Sequence, residues 1–195
     1  MDSYLASVVI FLALLALVSG WMIVAYNRLV RLRNRVDAAW AEVDVQLSKR
    51  HDLVPNLVAV VQGYAAHERQ TLDEVVEARG AAIAARGPQD QAHAENMLTG
   101  ALGRLFAQAE AYPELKADQN FEELQARLET IENTLAMARE AYNLSVLGYA
   151  NLTQTIPTNF VAWLDGFEPR EFLSAEEGER AVPHVELPPA AAPSS

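Results

Sequence analysis

The chain contains no cysteine, which excludes disulfides, thiolate metal sites and lipid anchoring through an N-terminal cysteine. Basic residues are scarce: 15 Lys and Arg against 26 Asp and Glu give a formal net charge of -11. That balance argues against nucleic acid as a partner, because binding phosphate needs a basic face. Proline and glycine are few between residues 28 and 156, where strong helix formers (Ala, Leu, Glu, Gln and Arg) dominate. Sustained strand alternation is also missing, so the fold class is all-α.

Apolar residues make up 51% of the chain, and the surplus sits in the first 27 positions. Ser3 to Asn27 carries no charged side chain, and Leu5 to Val24 is almost wholly Leu, Val, Ile, Ala and Phe. A helix of about 20 such residues crosses the roughly 30 Å hydrocarbon core. Tyr4 at one end, and Trp21 and Tyr26 at the other, suit the two interfaces. A cleaved signal peptide is the rival reading, with Leu-Val-Ser-Gly at 17–20 as its cleavage site. Such a peptide needs a basic leading region and a shorter apolar core, and Asp2 is the sole charged side chain before the span. An uncleaved anchor over residues 1–27 is the expectation. Arg28, Arg31, Arg33 and Arg35 follow it directly, so the positive-inside rule leaves the N-terminus outside and the rest of the chain in the cytoplasm. Ala13, Ala16 and Gly20 share helical spacing within the span. They form either a close-packing face for a second copy or the small residues common in any such helix.

Beyond the span, Leu29, Leu32, Val36, Trp40, Val43 and Leu47 follow 3-4 spacing and lay an apolar stripe on a helix continuous with the anchor. Asp52 then reads as the N-cap of a second helix, with Pro55 in its first turn. That helix buries Leu57, Val61, Tyr64, Leu72, Val75 and Ile83 and stops at Gly87-Pro88. A third carries Leu98, Leu102, Leu105 and Ala109, and Pro113 breaks the chain. The longest pattern comes last: Phe121, Leu124, Leu128, Ile131, Leu135, Ala138, Tyr142, Ser145, Tyr149, Leu152 and Ile156 alternate spacings of 3 and 4. This heptad seam predicts a long fourth helix packed, coiled-coil fashion, along the others. Residues 28–156 thus form an antiparallel four-helix-type bundle. Residues 157–173 make a short apolar helix and extension with Gly166 as its stop, and 174–195 are a disordered acidic, proline-rich tail.

No catalytic constellation survives inspection. His67-Glu68 opens like a zinc-protease helix, but Thr71 stands where the second histidine belongs, and His51, His93 and His184 form no ligand spacing. Phosphate loops, nucleophile elbows and dinucleotide glycine patterns are absent, so no cofactor or metal is implied. Asp44, Arg79, Arg139 and Asn143 are candidates for a structural polar network that fixes helix register, with a ligand site as the alternative. Phe160, Trp163, Leu164 and Phe167 crowd two helical turns. They mark either an interface, together with Ala13, Ala16 and Gly20, or a segment that folds back into the bundle core.

The run from Tyr26-Asn27 through Asp37, Ala39-Trp40, Asp44-Val45-Gln46-Leu47, Arg50, Asp52-Leu53-Val54-Pro55-Asn56-Leu57 and Gly63-Tyr64 to His67-Glu68 resembles the LemA family. Ala78-Arg79, Tyr142-Asn143, Tyr149, Ile156-Pro157, Asn159, Gly166-Phe167 and Phe172 continue the resemblance over residues 24–173. Ala150 and Ile156 depart from it, where the family has Asn after Tyr149 and an aromatic before the proline. The resemblance implies a bacterial inner-membrane protein with a cytoplasmic helical bundle and no established enzymatic activity. It also implies partners among other membrane proteins, such as membrane proteases.

Together these readings describe a non-enzymatic scaffold in the lipid bilayer that forms a homo-oligomer. The rival is a sensor or signalling adaptor, which three outer residues serve poorly, and an enzyme is the remaining alternative. In a chain without cysteine, Ser3→Cys should react with an impermeant thiol reagent added outside cells, and Ser194→Cys should not. The reverse pattern would overturn the topology.

Overall fold

The computed structural model describes residues 2–65 and 67–173, and the predicted tail 174–195 lies outside them. The described residues are helical, with no strand. The first helix, α1, runs unbroken from Asp2 to Tyr64, 63 residues, or about 95 Å at 1.5 Å per residue. Four further helices follow at Arg69–Ala84 (α2), Gly87–Ala109 (α3), Pro113–Lys116 (α4) and Gln119–Gln154 (α5), and Thr158–Leu164 (α6) is the last.

The continuity of α1 corrects the predicted boundary at Asp52. Pro55 stands inside the helix, where its missing N–H leaves the carbonyl four residues back, that of His51, without a helical donor. Arg79 of α2 supplies one: its Nε donates to the His51 carbonyl oxygen at 2.7 Å. A sequence read locally sees the breaker and not the remote side chain that compensates for it. The second predicted helix accordingly divides. Leu57 and Val61 are buried on α1, Leu72 and Val75 are buried on α2, and Tyr64 and Ile83 are exposed.

α1 and α5 form the spine. Along α1, Trp40, Arg50 and Tyr64 meet Tyr142, Glu132 and Asp118 in turn, so the partners recede toward the start of α5 as α1 advances. Asp118 caps α5 by accepting from the N–H groups of Asn120 and Phe121. It also accepts from the Tyr64 hydroxyl at 2.7 Å, which ties the end of α1 to that cap. Phe121, Leu128, Leu135, Ala138, Tyr142 and Tyr149 of the heptad pattern are buried, but Val146 is buried in place of its neighbour Ser145. A straight helix of 3.6 residues per turn drifts off a 3.5-residue repeat in this way.

The core falls into two clusters. The distal one joins Val54, Leu57 and Val61 of α1 to α2, α3, α4 and the start of α5, through Leu128. The second joins Ala25, Leu29, Val36, Val43 and Leu47 to the rest of α5 from Leu135, to α6 and to the extension as far as Leu173. The extension is clasped by its main chain. Tyr142 and Tyr149 hydroxyls donate to the Glu171 and Glu168 carbonyls at 2.8 and 2.9 Å, and Asn143 pairs with both the N–H and the C=O of Leu173 at 2.9 Å.

The Arg79–His51 bond predicts a specific coupling. Arg79→Met should cost about 1–3 kcal/mol in denaturant unfolding, the usual penalty for a stranded buried acceptor. In a Pro55→Ala background, residue 55 restores its own N–H and most of that cost should vanish. Equal costs in both backgrounds would show that the bond does not compensate for the proline.

Candidate functional site

Between the two apolar clusters lies a layer of buried polar side chains: Gln46, Arg50 and His51 of α1, and Gln91 and Glu95 of α3. Arg50 is 1% exposed and Glu95 is 0% exposed. The two form an ion pair through Nη1 and Oε2. Arg50 Nη2 donates to Thr99 Oγ1 at 2.7 Å and lies 2.6 Å from Glu132 Oε1 on α5. The other Glu95 oxygen is 2.7 Å from His51 Nε2 and accepts from Gln91 Nε2 at 2.9 Å. Gln91 also donates to the Ala82 carbonyl at 3.1 Å, and Arg79 reaches His51, so all four long helices meet in this layer.

Burial alone pushes the Glu95 carboxyl up. The His51 hydrogen bond and the Arg50 charge outweigh it and hold the group below the ordinary carboxylate range. Such a cluster can fix helix positions, because the Arg50, His51 and Glu95 side chains are directed at one another. Among the described residues no group of three or more His, Asp or Glu is placed to hold a metal ion.

Of the residues expected to form a polar network (Asp44, Arg79, Arg139 and Asn143), Arg79 and Asn143 bond to different partners, the His51 and Leu173 backbones. Asp44 is exposed, and with Arg79 it lines an open hollow of about 320 Å³ beside His51 and Gln91. Arg79 serves the His51 carbonyl, and Asn143 holds Leu173 some distance along α5. Arg139 is half-buried on α5. The buried charges that sequence reasoning missed had a signal. Arg50 continues the 3-4 spacing from Val43 and Leu47 to Val54 and Leu57, and Glu95 stands three residues before Leu98 on the apolar face of α3. A charge on an apolar stripe needs a partner of opposite sign.

At the other end, the span and α6 present apolar surface. Ala13, Ala16 and Gly20 are exposed, and a Cβ at Gly20 would meet nothing within 4 Å. α6 separates the residues grouped with them. Phe160, Trp163 and Leu164 are exposed, whereas Phe167 is buried, its ring 5.7 Å from Tyr26 and 5.3 Å from the Arg33 guanidinium carbon. Phe167 therefore belongs to the core. Gly166 explains the reversal: with φ +66° it lets the Phe167 N–H return to the Ala162 carbonyl at 2.9 Å, closing α6 and turning the ring inward. Of the arginines expected to flank a membrane, Arg33 lies over that ring, and Arg28, Arg31 and Arg35 are exposed.

The described residues define an all-helical protein, and among them one helix, at the N-terminal end, is long and apolar enough to cross a membrane. The LemA family profile matches residues 39–187, and the chain belongs to the LemA family. Magnetosome proteins MamQ 2 and MamQ 1 of Paramagnetospirillum magneticum are similar to it, each 26% identical over 193 residues, covering 86% of this chain and 68% of theirs. Magnetosome protein MamQ of Magnetospirillum gryphiswaldense is 24% identical over 178 residues, covering 78% of this chain and 65% of its own.

Glu95→Gln should destabilise the fold by about 3–5 kcal/mol at neutral pH, because it leaves Arg50 buried with reduced compensation. A carboxyl whose native pKa is lowered contributes stability that is complete above its unfolded pKa of about 4.3 and is lost as pH falls through the native value. Chemical denaturation between pH 3 and 7 should therefore show a flatter acid limb for the variant. Parallel curves would mean that Glu95 carries no such linkage.

Proposed function

We propose that the chain is a membrane-anchored, non-enzymatic scaffold of a bacterial inner membrane, with its N-terminus outside and an antiparallel four-helix-type bundle in the cytoplasm. The observation that carries this reading is the unbroken α1, whose apolar first third leads without a hinge into the spine of the bundle. A tether without a hinge holds the bundle at a fixed orientation to its anchor, which suits a part that positions other molecules. The bare apolar surface of residues 3–21 supports a lipid environment, since soluble chains rarely expose so large a contiguous apolar patch. Relatives named as magnetosome proteins support a structural part in a larger assembly. The buried polar layer supports the non-enzymatic reading, because its charges are directed at one another.

Scaffolding by a single-span protein is served by self-association, and the Ala13, Ala16 and Gly20 face is open to a second helix. Copies confined to one membrane meet at high effective concentration, so a weak contact in the span suffices. Other membrane proteins, such as membrane proteases, are the further partners this reading allows. Full-length protein in native membrane extracts should run as an assembly larger than one chain, and Ala16→Leu with Gly20→Leu should shrink it. A monomer at every concentration would exclude the scaffold reading.

A further inference from the structure

We propose that the outer face of α6, with the turn that precedes it, is a second membrane-contact element that dips into the interface of the bilayer α1 crosses. The inference rests on the anchor reading above.

Position comes first. Val161 and Ala162, on the inner face of α6, are packed in one cluster with Ala25 and Leu29, and Met22 packs against the same cluster. The Phe167 ring meets Tyr26. These α1 residues lie at and just past the end of the apolar stretch Leu5–Val24, so α6 is docked where the helix leaves hydrocarbon. The α1–α5 pairing carries the turn to the same level. Trp40 faces Tyr142, and stepping twelve residues down α1 and up α5 from that pair brings Gln154, the last residue of α5, level with Arg28, with the turn at 155–157 directly after it.

Chemistry comes second. Ile156 is 86% exposed, Trp163 77%, Phe160 57% and Leu164 55%. The Phe160 and Trp163 rings are 6.2 Å apart, so these two form one apolar patch. Water would be a costly neighbour for such a group, whereas the headgroup boundary favours Trp and Phe. Trp21, Ile23 and Val24, at the end of the apolar stretch, are exposed as well. Arg28, Arg31 and Arg35, also exposed, follow one to three turns farther along α1, on the side where anionic headgroups would lie. A lipid surface therefore accounts for the apolar face and for the arginines beside it. A second copy of the chain accounts only for the first.

The absence of native cysteine permits a direct test on the full chain in phosphatidylcholine–phosphatidylglycerol vesicles. Nitroxide labels at Trp163→Cys, Leu164→Cys and, as the span control, Leu12→Cys are assayed for collision with oxygen, which concentrates in lipid, and with a nickel chelate, which stays in water. Oxygen collisions should exceed nickel collisions at 163 and 164, with a smaller ratio than at 12, as expected for a shallow site. Circular dichroism of each labelled chain verifies that its helices are retained. Water-like nickel access at 163 and 164 with a lipid signature at 12 would overturn the inference and leave the anchor intact. Low access to both reagents at 163 and 164 would overturn it in favour of protein contact. Water-like access at 12 would remove the anchor itself, and the inference with it.

Discussion

The structure depends on one hydrogen bond to the backbone: Arg79 donating to the carbonyl that Pro55 strands. A proline in mid-helix normally ends or kinks the helix at a cost of about 3 kcal/mol or more. Here the freed acceptor is turned to use, because it gives α2 a fixed point on α1. The same turn of α1 carries Arg50 and His51, which bind α3 and reach α5. The place where local sequence opposes helix continuity is therefore the place where the helices are joined.

Burying Arg50 and Glu95 is not an obvious way to gain stability, since apolar residues of similar volume often serve as well. What the pair does is distinguish registers. Sliding α5 by one heptad replaces Glu132 with Gln125 or Arg139 opposite Arg50, either neutral or repulsive. Sliding α3 by a heptad replaces Glu95 with Pro88 or Leu102. Apolar clusters above and below the layer tolerate such shifts far better than an ion pair does, so the charges define which packing is native.

Much of this was legible in the sequence, where a pattern is long or a residue has one conformational use. The stripe from Leu29 to Leu47 and the α5 seam repeat often enough to identify a face, and Gly166 marks a left-handed stop. The boundary at Asp52 was misread because capping and proline rules are local, and the donor that overrides them comes from residue 79. Arg50 and Glu95 escaped notice because a broken helix hides that Arg50 lies on its stripe. Phe167 was grouped with Phe160 and Trp163 because composition counts apolar side chains without giving their direction, and the positive φ at Gly166 decides that direction.

The clasp on the extension has a geometric consequence. Tyr142, Tyr149 and Asn143 grip main-chain groups, so the path of residues 168–173 is set by the spine more than by the side chains it carries. That path leads back from Phe167 beside Tyr26 to Leu173 beside Asn143, near the level of Trp40. The sixteen residues from Val24 to Trp40 rise roughly 24 Å as helix. The described chain therefore ends on the flank of the helices at that height above the end of the apolar stretch of α1, like a bracket on a post.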